Sequence, residues 1–138
     1  MSKPGRVVLD TNIWVSYIIG GQLDEIAHLI LDNNIQVYSC RELEEELKDV
    51  LKRDKFKSLL QFEPGVYVDF IRNLTLPVSI NRIFNECPDE KDNYLFDLAI
   101  QSESAYLITG DKLLLRLNIK KLQIISLKAF KEGLKSNS

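Results

Sequence analysis

Two apolar segments of the chain lead directly into an aspartate. Residues 7–9 precede Asp10, and residues 105–109 precede Gly110 and Asp111. If the two segments are neighbouring parallel strands, both carboxylates project at the same edge of a sheet. A single aspartate in such a position is typical of a helix N-cap. Two aspartates at matching positions favour a functional pair.

A third carboxylate, Asp92, stands at the start of a helix predicted over residues 92–104. Apolar residues follow it at helical spacing, which predicts that Asp92 lies at the centre of the buried face. Asp97 lies about 130° from that centre and is expected on the solvent side. An unpaired buried carboxylate costs several kcal/mol, so Asp92 needs a partner; the alternative is a capping box with Asp89. The apolar residues that define the buried face are Leu95, Phe96, Ala99 and Ile100.

A fourth acid comes from the helix predicted over residues 41–53. Glu44 and Glu46 border its apolar stripe on opposite sides, and helical periodicity does not choose between them. The other acids of this helix, Glu42, Glu45 and Asp49, are expected to point toward solvent.

The four acidic positions together predict a cation site. Like charges ~4 Å apart repel by about 4 kcal/mol at an effective dielectric constant near 20, so such a cluster persists only if it shares protons or binds cations. Oxygen ligands without His or Cys favour Mg²⁺ or Mn²⁺ over Zn²⁺. The chemistry that these ions serve at carboxylate sites is phosphodiester hydrolysis by an activated water. The candidates are Asp10, one of Glu44 and Glu46, Asp92 and Asp111.

Strands and helices that could position these acids alternate four or five times along the chain. The predicted strands are apolar throughout instead of alternating, which indicates a parallel sheet covered by helices on both faces, a three-layer α/β/α fold. Ligands of such sheets bind outside the carboxyl ends of the strands. The strands are predicted at residues 6–9, 35–38, 75–80, 105–109 and 123–126.

Composition predicts one ordinary globular domain over residues 1–138, with about the last four residues disordered. No apolar run approaches the ~18–20 residues of a membrane span and no signal peptide opens the chain, so a cytoplasmic protein is expected. Cys40 and Cys87 lack the spacing of a metal site and are expected to be reduced thiols. The net charge of −2 combines 18 acids and 11 bases in residues 1–110 with 2 acids and 7 bases in residues 111–138.

Four segments, taken in order, resemble the PIN-domain family of small metal-dependent ribonucleases. The resemblance covers about residues 6–130 and implies a twisted parallel sheet of about five strands with an acidic pocket at its carboxyl edge. It also implies Mg²⁺ or Mn²⁺ and endonucleolytic cleavage of single-stranded RNA. The most similar subgroup contains predicted toxins of toxin–antitoxin pairs, which implies an antitoxin partner and a homodimer. The segments are residues 8–12 (VLDTN), 46–51 (ELKDVL), 92–99 (DNYLFDLA) and 107–112 (LITGDK).

The resemblance assigns roles to individual residues. It favours Glu46 over Glu44, and it implies that the catalytic and metal-binding acids are Asp10, Glu46, Asp92 and Asp111. Hydrogen bonds that hold carboxylates or waters are implied for Thr11, Asn12 and Thr109. Many relatives carry a further aspartate where this chain has Leu113. The expectation is therefore one well-held ion, with a second metal site in doubt.

Basic residues are the expected RNA contacts. Lys112, beside Asp111, is the first candidate for a phosphate contact, followed by Lys52, Arg53 and Arg116. The single histidine, His28, has no acid–base partner nearby in sequence and is expected to be structural.

Two alternative functions are compatible with the same pattern. Leu113 in place of an acid would suit a catalytically degenerate module that binds RNA or protein. A receiver or phosphatase-like phosphoryl-transfer domain shares the layering. The phosphatase, however, needs a second aspartate where this chain has Asn12, and a receiver needs a mid-chain aspartate and a late lysine that are not evident.

Overall fold

A computed structural model describes residues 3–136, with side chains from residue 5 onward. Its five strands form one parallel sheet in the order β3-β2-β1-β4-β5. Helices cover the sheet, so the predicted three-layer α/β/α fold is confirmed. The strands are β1 (Lys3–Leu9), β2 (Gln36–Ser39), β3 (Leu76–Pro77), β4 (Ser104–Ile108) and β5 (Gln123–Ile125).

Helices connect consecutive strands and continue to the end of the described chain. A short 3₁₀ turn at Glu90–Asp92 leads into the sixth helix. Among the described residues, no helix is long and apolar enough to cross a membrane. The helices are α1 (Thr11–Ile19), α2 (Leu23–Asp32), α3 (Arg41–Leu51), α4 (Asp54–Lys57), α5 (Pro64–Leu74), α6 (Asn93–Gln101), α7 (Lys112–Leu115) and α8 (Leu127–Ser136).

The tail predicted to be disordered is helical in its described part. Residues 135 and 136 belong to α8, whose Phe130 is buried against the core. Residues 137 and 138 lie outside the described residues.

The two central strands carry the core. Val8 of β1 and Leu107 of β4 have no exposed surface, and these strands pair in register through Val8 and Leu107. Residues on both faces of a central parallel strand are covered, which explains why the apolar runs are continuous. Trp14 of α1 is almost completely buried in the core, while His28 is exposed on α2.

Helix α6 is buried on more faces than its periodicity predicts. Every residue from Asn93 to Ala99 is buried, and the expectation that Asp97 faces solvent is wrong, since 3% of Asp97 is exposed. The loop at residues 78–89 covers the face that periodicity assigns to solvent. Conversely, Ile100, predicted to be buried, is 46% exposed.

Three polar side chains of α6 attach the loop at residues 78–89. The Asp97 carboxylate accepts hydrogen bonds from the backbone N–H groups of Ile83 (3.2 Å) and Phe84 (2.9 Å). The Phe84 ring stacks on Phe96, with centroids 4.6 Å apart. Gln101 bonds both backbone groups of Asn81, and Asn93 accepts from the Cys87 N–H. The loop is therefore held to the helix that carries Asp92 at its start.

Candidate functional site

Asp10 lies at the carboxyl end of β1 and caps α1. Its backbone N–H donates to the carbonyl of Ile108 (2.9 Å), which extends the β1–β4 ladder to the sheet edge. Only 4% of Asp10 is exposed. Its Oδ2 accepts from Thr109 Oγ1 (2.7 Å), and its Oδ1 accepts from the Asn12 backbone N–H (3.4 Å). Asn12 thus contributes its backbone, while its side chain is exposed.

Thr109 connects Asp10 to Asp111 on the next strand. The fully buried Thr109 hydroxyl donates to Asp10 and accepts from the Asp111 backbone N–H (3.0 Å). The Asp111 carboxylate also caps α7 by accepting from the Leu113 N–H (2.8 Å). Both strand-end aspartates therefore cap a helix and lie at one edge of the sheet, because β1 and β4 are parallel neighbours.

The two glutamates that periodicity could not separate have different partners. Glu46 Oε1 accepts a hydrogen bond from the Tyr94 hydroxyl (2.9 Å) on α6. Glu44 instead forms an ion pair with Arg72 of α5 (2.7 Å). The negative charge of Glu46 also contributes to raising the pKa values of Asp10 and Asp92, so Glu46 lies near these acids.

Asp92 ends the 3₁₀ turn and precedes α6. Its side chain makes no capping hydrogen bond; Asp89 caps the turn instead, by accepting from the Lys91 N–H (3.0 Å). Burial raises the pKa of Asp92 to about 6, and the negative charges of nearby acids add to this effect. The acids that act on it are, in decreasing order, Asp10, Asp89, Asp111 and Glu46.

The four predicted acids lie close enough together for their negative charges to repel one another. Burial also raises the pKa of Asp10, against hydrogen bonds from Thr109 and Asn12 that lower it, and the charges of Glu46 and Asp111 raise it further. In the described part of the chain, no group of three or more His, Cys, Asp or Glu side chains is arranged so that it could hold a metal ion. The donors are all oxygens, and a divalent cation would relieve their repulsion. The donor chemistry therefore fits Mg²⁺ or Mn²⁺.

Sequence reasoning assigned no role in the site to two further residues at this edge. Tyr94 is 4% exposed, and its hydroxyl lies between Glu46 and Thr11 Oγ1 (2.9 Å to each). A tyrosine in an apolar helix segment needs a partner for its hydroxyl, and this is the signal that could have identified it. Cys87 is half-buried, and burial together with Asp92 and Asp111 raises the pKa of its thiol to about 12.

The predicted RNA-contacting residues form two separate exposed groups. Lys112 follows Asp111 directly as the first residue of the short helix α7, and Arg116 is the C-cap of this helix. Lys52 and Arg53 follow the end of α3, about 9 Å along the helix axis from Glu46. Leu113, where relatives carry a further acid, is 52% exposed.

Comparisons with known proteins agree with this architecture. A family model described as "PIN domain" matches residues 6–113. The uncharacterized protein MJ1680 of Methanocaldococcus jannaschii is 30% identical over 116 residues, which cover 81% of this chain and 74% of that protein. The crystal structure of VapBC2 from Rickettsia felis, bound to a DNA fragment from their promoter, contains a chain with a similar fold. The TM-score is 0.57 at 18% identity, over 86% of this chain and 96% of that chain.

Proposed function

This chain belongs to the PIN-domain family, and we propose that it is a Mg²⁺- or Mn²⁺-dependent endoribonuclease that cleaves single-stranded RNA. One observation carries the proposal. The buried Asp10 carboxylate, held by Thr109 at the end of β1, experiences the charges of Glu46 and Asp111, and Asp92 experiences all three. Repelling carboxylates at the carboxyl edge of a parallel sheet are what a divalent cation stabilises.

Four side chains would hold the ion: Asp10, Glu46, Asp92 and Asp111. When bound, the ion supplies charge neutralisation at the phosphodiester and lowers the pKa of a nucleophilic water. Thr109 orients Asp10 and Asp111 with one hydroxyl, and the caps on α1 and α7 hold their backbones. We propose one well-held ion, because Leu113 offers no ligand atom for a second one.

The substrate would contact positive side chains beside this edge. Lys112 follows Asp111 directly and is exposed, so its ammonium can reach a phosphate next to the acids. Arg116 is the C-cap of the same short helix. Lys52 and Arg53 would contact a more distant part of the strand. These contacts position phosphates and carry no sequence specificity by themselves.

We propose that the protein is the toxin of a toxin–antitoxin pair. The resemblance to the toxin subgroup supports this role, and a chain of similar fold occurs in the VapBC2 complex of Rickettsia felis. An antitoxin protein would then bind this chain, and a homodimer in the cytoplasm is the proposed working form.

The Asp10→Asn variant tests the nuclease assignment. Loss of a group that only supports a metal ligand lowers metal affinity or activity roughly 10–100-fold. Because Asp10 is proposed to be a ligand itself, we expect cleavage of a single-stranded oligoribonucleotide in Mn²⁺ to fall by more than that. The fold should persist, since asparagine can still cap α1. Asp49→Asn, on the exposed face of α3, is the matched control and should cleave normally. Undiminished cleavage by Asp10→Asn would overturn the assignment.

The exposed Leu113 favours one other function, a degenerate module that binds RNA without cutting it. Calorimetric titration of the protein with Mn²⁺ distinguishes the two. A nuclease that uses the four acids as ligands binds the ion, and Asp10→Asn weakens that binding. A degenerate module binds RNA with no dependence on Mn²⁺.

A further inference from the structure

The hydroxyl of Tyr94 joins three helices at the acidic edge. Tyr94 belongs to α6, Thr11 begins α1, and Glu46 lies in the middle of α3. The Tyr94 hydroxyl lies 2.9 Å from Thr11 Oγ1 and 2.9 Å from Glu46 Oε1. Thr11 and Tyr94 are both almost fully buried, with 1% and 4% of their surface exposed.

The number of protons fixes the direction of this hydrogen-bonded chain. An ionised glutamate only accepts, so the single Tyr94 proton goes to Glu46. The Tyr94 oxygen must then accept from the Thr11 hydroxyl. Because Thr11 occupies that side of the oxygen, the Tyr94 proton has one available direction, toward Glu46.

The Tyr94 hydroxyl is the hydrogen-bond partner of the Glu46 carboxylate. Within residues 5–136, this carboxylate makes no other hydrogen bond and no ion pair. Glu44, two residues earlier, is bound by Arg72, whose positive charge neutralises it. A tyrosine hydroxyl is neutral, so it holds Glu46 in place and leaves the full negative charge available to a cation.

We propose that Tyr94 is a positioning residue that holds Glu46 toward Asp10 for metal binding, an inference that rests on the proposed function. The ring supplies rigidity, because it is packed in the core and its hydroxyl is locked by Thr11. Thr11 is the neighbour of Asp10 along the chain. Hydrogen bonds through Thr11 and Tyr94 therefore connect the main chain next to Asp10 with the side chain of Glu46.

Calorimetric titration with Mn²⁺ tests the role of the hydroxyl. Tyr94→Phe keeps the ring and removes only the hydroxyl, and we expect Mn²⁺ to bind 10–100-fold more weakly, the usual effect of losing a group that orients a metal ligand. The matched control is Tyr17→Phe, since the buried Tyr17 hydroxyl also has a partner, Lys131 at 2.9 Å, away from the acids. The control should bind Mn²⁺ as the wild type does. Equal affinity of Tyr94→Phe and wild type would overturn the proposal.

A double-mutant cycle with Glu46→Gln separates positioning from a general structural role. If Tyr94 acts through Glu46, Tyr94→Phe should change Mn²⁺ affinity less than twofold in the Glu46→Gln background. Full additivity would show that Tyr94 does not act through Glu46. Thr11→Val, which frees the Tyr94 hydroxyl, should weaken binding at least threefold and replaces Tyr94→Phe if that variant unfolds. A wild type that binds no Mn²⁺ overturns the proposed function itself, which is a different result from equal binding by wild type and variant.

Discussion

The negative charges of all the other acids at the sheet edge act on the carboxyl group of Asp92. Burial and these charges raise its pKa from 3.8 to about 6. A folded carboxyl with a raised pKa keeps its proton in a range where the unfolded chain has released it. The protein without metal therefore loses stability as the pH rises through this range, and the loss is complete above the folded pKa.

Urea unfolding in EDTA should show this dependence between about pH 4 and pH 6. The wild type should lose roughly 1 kcal/mol or less relative to Asp92→Asn across that window, a value discounted because Asp92 is partly exposed. Above about pH 6 the difference should be constant. A difference that does not change with pH would contradict the proposed repulsion. Added Mn²⁺ should restore the wild type at pH 7 and leave Asp92→Asn less affected.

The Thr109 hydroxyl makes hydrogen bonds with two groups, the Asp10 carboxylate and the Asp111 backbone N–H. Thr109→Val is nearly isosteric but removes a donor from the buried Asp10 carboxylate and an acceptor from the Asp111 N–H. We expect a loss of about 1–3 kcal/mol in the free energy of unfolding and weaker Mn²⁺ binding. The control is Thr75→Val, which removes a buried hydroxyl bonded to the Ile71 carbonyl (2.7 Å). It should lose stability by about 0.5–1.5 kcal/mol and bind Mn²⁺ normally.

Helical periodicity alone does not predict which residues of α6 are buried, because two faces of this helix are covered. Its sheet-facing side follows the apolar spacing of Leu95 and Ala99. Its other side packs under the loop at residues 78–89, where Phe96 stacks with Phe84 and Asp97 binds two backbone N–H groups. Periodicity detects apolar side chains, and a buried aspartate that serves a loop backbone has the same sequence pattern as an exposed one.

Asp97→Ala should release this loop. It leaves the backbone N–H groups of Ile83 and Phe84 without their acceptor, and hydrogen bonds to a charged group contribute about 1.5–3 kcal/mol each. We expect a loss of about 2–4 kcal/mol in urea unfolding and faster hydrogen exchange at both amides. Asp49→Ala on exposed α3 is the control and should change stability by less than about 0.5 kcal/mol. Unchanged exchange at Ile83 would show that Asp97 does not hold the loop.

Across the whole molecule, charge is divided unevenly. Residues 1–110 carry 18 acids and 11 bases, while residues 111–138 carry 2 acids and 7 bases. The fold places the first basic residue of the second part, Lys112, directly beside the acidic edge. A small net charge therefore results from an acidic site and a basic neighbourhood, and it does not argue against RNA as a substrate.

Salt dependence of cleavage tests the role of Lys112. Lys112→Ala should raise the KM for a single-stranded oligoribonucleotide about 3–10-fold at low salt. It should also reduce the slope of log KM against log salt concentration by about 0.7, because one phosphate contact is lost. The value of kcat should change little. Lys48→Ala, exposed on α3, is the control; an equal effect of both variants would indicate bulk attraction instead of a specific contact.

Much of the fold follows from local pattern. Apolar runs that end in aspartate predicted β1 and β4 as buried parallel strands. Asp10 and Thr109 come into contact because these two strands are neighbours in the sheet. The choice between Glu44 and Glu46 could not be made in this way. Both lie at similar angles from the apolar stripe, and only the partner on another helix, Arg72 or Tyr94, distinguishes them.

Local chemistry in the chain predicted the strands, most helices, an acidic candidate site and the family, because these depend on residue types at short spacings. The tertiary structure decided which side chains meet. Tyr94 and Glu46 are 48 residues apart, and Thr109 and Asp10 are 99 apart. Hydrogen bonds require approach within about 3 Å, and contacts between such distant positions form only when the sheet and its covering helices bring them together.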